Sequence, residues 1–315
     1  MLHVVIEKGN KSFVFSEILK KIKIFTDTIV INFNNNHMYI QGMDSSHIVI
    51  FELKINSNWF DTYLITKEPN YEYGINTNII SKILSVRDEN QHIRLHQEDD
   101  EIDKLEISFI NITPKEDIKK STPENGEEKI NVKKKITKNE QKKQEKQEKQ
   151  EKQEKQEKQE TKIEKKSCYE KFFQIPLVDI DYDKLEITPT DYDATLQIES
   201  KNIKNLIDNF ALFESNTIDF IFNEEDITMQ TDGIETNMEV NILHDQMELY
   251  SITENTIFTN SFSLKYLHNI CQFSKISKYV QIQQTKSMPI EFTYMIDDEN
   301  TFRFYLAPSI NDYEE

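Results

Sequence analysis

Two periodicities divide this chain. Residues 27–34 alternate apolar and polar side chains, an Asn-rich turn follows, and residues 38–41 alternate again; the same arrangement returns at 216–223 and 227–230. Each copy reads as a hairpin with one buried face, because successive side chains on a strand point to opposite sides. The second copy lies 189 positions after the first throughout, so Thr28 and Ile29 match Thr217 and Ile218, Phe33 and Asn34 match Phe222 and Asn223, and Gln41 matches Gln230. A second resemblance, of Ser81-Lys82-Ile83-Leu84 to Leu264-Lys265-Tyr266-Leu267, points the same way. Agreement in one register favours internal duplication over two unrelated hairpins.

Four stretches follow helical spacing instead: about 11–23, 78–87, 201–212 and 263–273, two in each half. Phe15, Ile18, Leu19 and Ile22 form the apolar stripe of the first, and Ile203, Leu206, Ile207 and Phe210 that of the third. Such stripes need a surface to cover, and the alternating strands supply one. The fold class is therefore α+β, a duplicated unit of two helices laid over antiparallel sheets.

Residues 113–166 interrupt this pattern. The stretch from 144 to 160 repeats Gln-Glu-Lys without an apolar residue, so it belongs to no core. Glu145 precedes Lys149 by four, as Glu148 does Lys152, an order that supports a solvated helix; a disordered loop extension is the alternative and the favoured reading. Without this insert, 261 of the 315 residues remain, about two ordinary domains.

Charge sharpens the picture. The chain carries -18 overall, but the insert holds 18 Lys against 13 acids, which leaves -23 on the rest. Such a body repels nucleic acid unless its few cations share a face. Of the 20 Lys and Arg outside the insert, 12 lie in or beside the four helices: Lys8, Lys11, Lys20, Lys21, Lys23, Lys82, Arg87, Lys201, Lys204, Lys265, Lys275 and Lys278. The acids there are Glu17, Asp88 and Asp208. A basic helical face suited to phosphate backbone follows. Arg87 is its one arginine, so it lacks the bidentate groups that read guanine, and contact should be non-specific and salt-sensitive.

Cys168 and Cys271 have no C-x-x-C spacing, no N-terminal stretch reads as a signal peptide, and no apolar run approaches the roughly 18 residues of a spanning helix. A soluble, intracellular protein is expected.

Gly42, Met43, Asp44, Ser45, Ser46, His47 and Ile48, then Phe60 to Tyr63, then Ser81 to Leu84, and finally Tyr305, Leu306, Ala307 and Pro308 before an acidic end stand in the order found in the eukaryotic-type sliding clamps. On these motifs the sequence resembles the proliferating cell nuclear antigen family along essentially its whole length except the insert. The resemblance implies a homotrimeric ring of duplicated clamp domains: an N-terminal domain over 1–177, a connector over 178–193 and a C-terminal domain over 194–315. It implies a DNA polymerase processivity factor that encircles duplex DNA and tethers replication and repair enzymes, with polymerase and clamp loader as partners and no cofactor or metal. By the same resemblance the helices line the hole, and Lys20, Lys82, Lys201, Lys204 and Lys265 are the candidates for phosphate contact. Two positions depart from the family: Asp208 lies near an often basic position, and Gln272 replaces a lysine.

The family also implies a pocket for peptides carrying Gln and paired aromatics. Here Met43, His47, Ile48, Leu185, Ile187, Pro289, Tyr305, Leu306, Ala307 and Pro308 would form it, with apolar plugs dominating affinity. Subunits would meet through Tyr169, Phe173 and Ile175 on one edge and Met238, Val240 and Ile242 on the other. Pro176 lacks a ladder donor and shortens the first edge. The insert falls in a hairpin turn and reads as a tolerated loop extension, with reach to DNA or recruitment of a partner as alternatives. Nuclear location comes with the family, Lys133 to Lys135 being a weak import signal, and a cytoplasmic viral replication compartment is the alternative.

Other functions fit parts of this pattern. A checkpoint-type subunit of a heterotrimer, or a processivity factor without ring closure, keeps the fold. A metal-dependent nuclease would use Asp99-Asp100-Glu101 or Asp297-Asp298-Glu299, but these clusters read as hairpin tips. His92 and His96 lack further ligands, Ser46-His47 lacks a nucleophile elbow, and five scattered glycines make no phosphate loop. The protein is not expected to be an enzyme.

Overall fold

One order of elements runs through the chain twice. The first half comprises β1 (Leu2–Ile6), α1 (Asn10–Lys21), β2 (Thr28–Phe33), β3 (His37–Met43), β4 (Val49–Asn56), β5 (Thr62–Ile65), β6 (Tyr71–Asn76), α2 (Thr77–Ser85), β7 (His92–Gln97), β8 (Lys104–Ile110) and β9 (Lys171–Pro176). The second comprises β10 (Ala194–Glu199), α3 (Ser200–Phe210), β11 (Thr217–Phe222), β12 (Asp226–Asp232), β13 (Asn237–Leu243), β14 (Leu249–Ile252), β15 (Phe258–Ser263), α4 (Leu264–Cys271), β16 (Tyr279–Gln284), β17 (Ile290–Met295) and β18 (Thr301–Leu306). The computed structural model describes residues 1–66, 71–98, 103–111, 169–180, 184–188, 190–213, 215–233 and 236–309. Apart from Asn111 and Tyr169, these fall in one compact unit. The insert, the acidic cluster at 99–101 and the lysines at 133–135 lie outside the described residues.

Sheet order exposes the duplication more sharply than the hairpins do. The run β5-β1-β7-β8-β9 of the first half repeats as β14-β10-β16-β17-β18, and β4-β3-β2-β6 repeats as β13-β12-β11-β15. Within the chain β18 pairs with β4, which fuses two of these runs into one antiparallel sheet of nine strands. Their counterparts β9 and β13 stand at the ends of their own sheets. The two registers also agree across the halves beyond the strands: the Val178 N–H donates to Gly74 O at 2.9 Å, and the Ser309 N–H donates to Ser261 O at 2.7 Å.

Alternation decides which side chains enter the core. Phe51, Leu53 and Ile55 of β4 and Phe302, Phe304 and Leu306 of β18 are fully buried. Around the β4–β18 junction Phe25, Phe51, Phe273, Phe302 and Phe304 form an aromatic cluster with ring centroids 4.4 to 6.4 Å apart. Tilted and edge-on packing of this kind adds to the burial of large apolar area.

Glycine matters at two places. Gly9 precedes α1 with φ of 126°, a backbone state that side-chain-bearing residues avoid. A Cβ on Gly74 would sit 2.0 Å from Val178 O, so only hydrogen lets the chain leaving β9 lie against β6. For α2, the Asn76 side chain accepts the N–H groups of Asn78 at 3.0 Å and Ile79 at 3.1 Å and caps the helix start.

Two expectations need correction. The helices begin at Thr77 and Leu264, so Ser81 to Leu84 is equivalent to His268 to Cys271, one turn beyond the residues matched by sequence. A slip of four residues keeps the same helical face inward, which is why the apolar pattern still agreed. Leu306, expected in the pocket, has its side chain wholly inside the core.

Candidate nucleic-acid interface and partner pocket

The four helices bury one face and leave a polar one. On α3, Ser200, Ile203, Ile207 and Phe210 are buried, while Lys201, Asn202, Asn205 and Asn209 are exposed. On α2, Asn78 and Lys82 are exposed, and on α4 so is Lys265. That face is asparagine with isolated lysines, interrupted by Ile79 on α2 and Phe13 on α1, and the asparagines add to the lysines legible in the sequence.

Not every lysine there is a free charge. Lys20 and Lys21 both hold Glu17, at 2.5 and 2.9 Å, and Lys21 also donates to Gln272 O at 2.7 Å. Burial raises the Glu17 pKa, but the two ammonium groups outweigh it and leave the carboxyl below its ordinary value. Lys204 is paired with Asp208 one turn on, and Asp208 also faces His268 at 3.4 Å. Of the five candidate contacts, Lys20 and Lys204 are therefore neutralised locally, whereas Lys82, Lys201 and Lys265 are exposed with no ion pair among the described residues. Lys265 lies 5.8 Å from the Tyr266 ring.

Arg87 is structural. Its guanidinium donates to Ser16 Oγ, Ser12 Oγ and the carbonyls of Asp88 and Gln91, at 2.9 to 3.4 Å, which locks α2 to α1. Lys171 holds Asp88 at 2.7 Å and Val86 O at 2.5 Å, which draws β9 to the end of α2.

The candidate partner pocket is built around one loop. Asp44 accepts the N–H groups of Ser46 at 2.9 Å, Ile48 at 2.7 Å and Val49 at 2.6 Å, and the Tyr266 hydroxyl at 3.0 Å. Burial pushes its pKa up, but these donors outweigh that and hold it below the ordinary value. They also hold His47 at φ of 60°. Beyond the loop, Ile48 O accepts the Ala307 N–H at 3.0 Å. Register places Met43 opposite Ile50 and Ile50 opposite Tyr305, a transverse row across β3, β4 and β18. Burial, then Glu291, raises the Tyr305 pKa to about 12, so its hydroxyl stays neutral.

The connector is clipped beside that row. Gln41 Nε2 donates to Leu185 O at 3.0 Å, and the Leu185 N–H donates to Gln41 Oε1 at 2.8 Å, as a neighbouring strand would. Lys184 Nζ lies 4.4 Å from the Tyr39 ring, and Ile187 shares with Tyr39, Glu52 and Leu185 a recess of about 440 Å³. Leu185 is 38% exposed, and Met43, Ile48, Tyr305, Ala307 and Pro308 are half-buried. His47 and Pro289 are exposed. The sequence missed Ile50, because Val49, Ile50 and Phe51 are all apolar and hide which one faces out.

The two free edges differ from expectation in detail. Tyr169 is 75% exposed and Phe173, Met238 and Val240 are half-buried, but Ile175 and Ile242 point into their own core and offer only main chain. Phe172, beside them on the same edge, is 58% exposed. The Leu177 N–H faces β8 at Asp103 O, so strand alternation turns the Pro176 nitrogen toward the open edge, where it has no proton to give.

Among the described residues no group of three or more His, Cys, Asp or Glu could hold a metal. Asp297 Oδ1 accepts the N–H groups of Glu299 and Asn300 and closes a hairpin tip. His92 is buried, and His96 faces Glu98 at 2.9 Å with its ring edge-on to His3.

Comparison with known proteins fits this architecture. Residues 1–126 match the family model of the proliferating cell nuclear antigen N-terminal domain, and residues 186–309 match that of the C-terminal domain. A proliferating cell nuclear antigen of Chaetomium thermophilum is 24% identical over 320 residues, across 100% of both chains. A probable DNA polymerase sliding clamp 2 of Paramecium bursaria Chlorella virus 1 is 24% identical over 94% of this chain and 89% of its own. The Dictyostelium discoideum proliferating cell nuclear antigen is 19% identical over 93% and 95%. With one domain model on each half of a duplicated fold, the chain belongs to the proliferating cell nuclear antigen family of sliding clamps.

Proposed function

We propose that this chain is a DNA polymerase processivity factor, three copies of which close head to tail around duplex DNA. One observation carries the reading: the β4–β18 junction inside the chain has its two halves repeated, unpaired, at β13 and β9. Carrying the internal register onto these edges sets Phe173 of one copy opposite Met238 of the next, and Phe172 opposite Glu239, by analogy with Phe304 opposite Phe51 and Arg303 opposite Glu52. Exposed apolar side chains on both edges, Phe172 and Val86 on one and Leu212 and Leu243 on the other, support it. A heterologous contact of this kind closes into a ring when its rotation permits.

In the ring the helices face the hole. Lys82, Lys201 and Lys265 touch phosphate, and Lys20 and Lys204 contribute less because Glu17 and Asp208 already hold them. A closed ring retains DNA by topology, so weak contact permits sliding. The row of Met43, Ile50 and Tyr305, flanked by Ile48, Leu185 and Ala307, takes the apolar side chains of partner peptides from polymerase and clamp loader. The protein acts as a tether, in the nucleus; likeness to a chlorella-virus clamp favours a viral replication compartment as the second reading.

The test uses Phe173→Cys with Met238→Cys. Oxidised in the presence of nicked circular DNA, this variant should stay on the circle in high salt and leave when the circle is cut. Release from the uncut circle in high salt, with the cross-link formed, would contradict encirclement.

A further inference from the structure

Besides the main-chain bond from the Ala307 N–H to Ile48 O, the loop that frames the pocket is held from outside by one side chain. Three of the four donors to Asp44 are main-chain N–H groups of the loop itself, at Ser46, Ile48 and Val49. The fourth is the Tyr266 hydroxyl, 222 positions away on α4, next to Lys265 on the face assigned to DNA. A carboxylate that collects its own loop's N–H groups shapes the loop but does not fix it relative to the rest of the molecule. A hydroxyl on a helix whose Leu264, Leu267, Ile270 and Cys271 are buried does fix it.

The duplication supplies an internal control. The position equivalent to Tyr266 on α2 is Ile79, 38% exposed, and the position equivalent to Asp44 after β12 is Gly233. Neither can make the bond. The Tyr-Asp link therefore exists only where the pocket is, and the shared fold does not require it. It coincides with strain, because His47 occupies left-handed backbone, which a non-glycine residue keeps only where its surroundings impose it.

We propose that Tyr266 is a positioning residue for partner binding: its hydroxyl anchors Asp44, and through Asp44 sets His47 and Ile48 at the pocket rim. The proposal rests on the pocket reading above and on the Asp44–Tyr266 geometry. Losing the hydroxyl leaves the ring in place and frees the loop to sample states that do not fit a peptide, which lowers apparent affinity by the fraction of misplaced loop.

Two measurements on the full-length protein test it. The first is titration with a synthetic peptide carrying Gln and paired aromatics. Tyr266→Phe should raise its Kd roughly three- to tenfold, in the range of one ordinary hydrogen bond, because the Ala307 contact still holds the loop. Asp44→Asn should raise it at least as much, and adding Tyr266→Phe to Asp44→Asn should change little more. The second is amide hydrogen exchange without peptide: exchange over residues 44–49 should quicken in Tyr266→Phe while the α4 amides stay protected. Wild-type Kd in Tyr266→Phe, full additivity with Asp44→Asn, or unchanged exchange over the loop would each overturn the proposal. If the wild type does not bind the peptide, the pocket reading falls with the inference; if it binds and Tyr266→Phe binds equally, the inference alone falls.

Discussion

At the scale of single residues, the helical face works by contrast between lysines that are spoken for and lysines that are not. Glu17 holds Lys20 and Lys21, and Asp208 holds Lys204; partly exposed pairs like these are worth about 0.2 to 1 kcal/mol each to the fold. Their larger effect is to remove positive charge from the wall. Each phosphate contact contributes about 0.9 to the slope of log K against log salt. Lys82→Ala, Lys201→Ala and Lys265→Ala together should therefore flatten that slope by roughly 2 to 3 for each subunit that touches the DNA, read by fluorescence anisotropy with duplex DNA. Lys20→Ala with Lys204→Ala should flatten it by less than one. Equal effects of the two sets would mean that the ion pairs open on DNA. The residue types were legible in sequence, including the three acids among the helices. Their partners were not, since a helical pattern leaves open whether Glu17 reaches Lys20, Lys21 or solvent, and no local pattern joins Asp44 to Tyr266.

Elements explain why the fold was readable and where the reading slipped. Alternation over 27–34 and 216–223 reported real strands, β2 and β11, because each lies in a sheet with one face on the core. Helix positions were right to within two residues; what slipped, by one turn, was the match drawn between α2 and α4. Pocket residues divided along the same line. Met43 and Tyr305 alternate outward, while Leu306 turns inward between them and the next outward residue, Ala307. The connector depends on element-scale fit: β6 tolerates it only because Gly74 has no Cβ beneath Val178 O. Gly74→Ala should push that segment off the sheet. Cleavage by trypsin after Lys184 should then speed up severalfold and peptide affinity should drop, with little change in secondary structure by circular dichroism. Wild-type cleavage would mean that the Gln41 clip holds the connector unaided.

For the whole molecule, the internal junction forecasts the external one and also its weakness. Phe25, Phe51, Phe273, Phe302 and Phe304 meet inside the chain. The equivalents of Phe51, Phe273, Phe302 and Phe304 on the free edges are Met238, Val86, Lys171 and Phe173, one aromatic in place of four. In the proposed ring, less aromatic area and one missing donor at Pro176 should make the subunit contact the place where it comes apart, while each chain keeps its two domains joined. Restoring the aromatics with Val86→Phe and Lys171→Phe should lower the protein concentration at which subunits separate. Sedimentation of the unmodified chain tests the central claim most directly. A species of three times 37.5 kDa that gives way to single chains on dilution, at lower concentration in the doubly substituted variant, is the predicted result. A single chain at every concentration up to tens of micromolar, in both proteins, would contradict it.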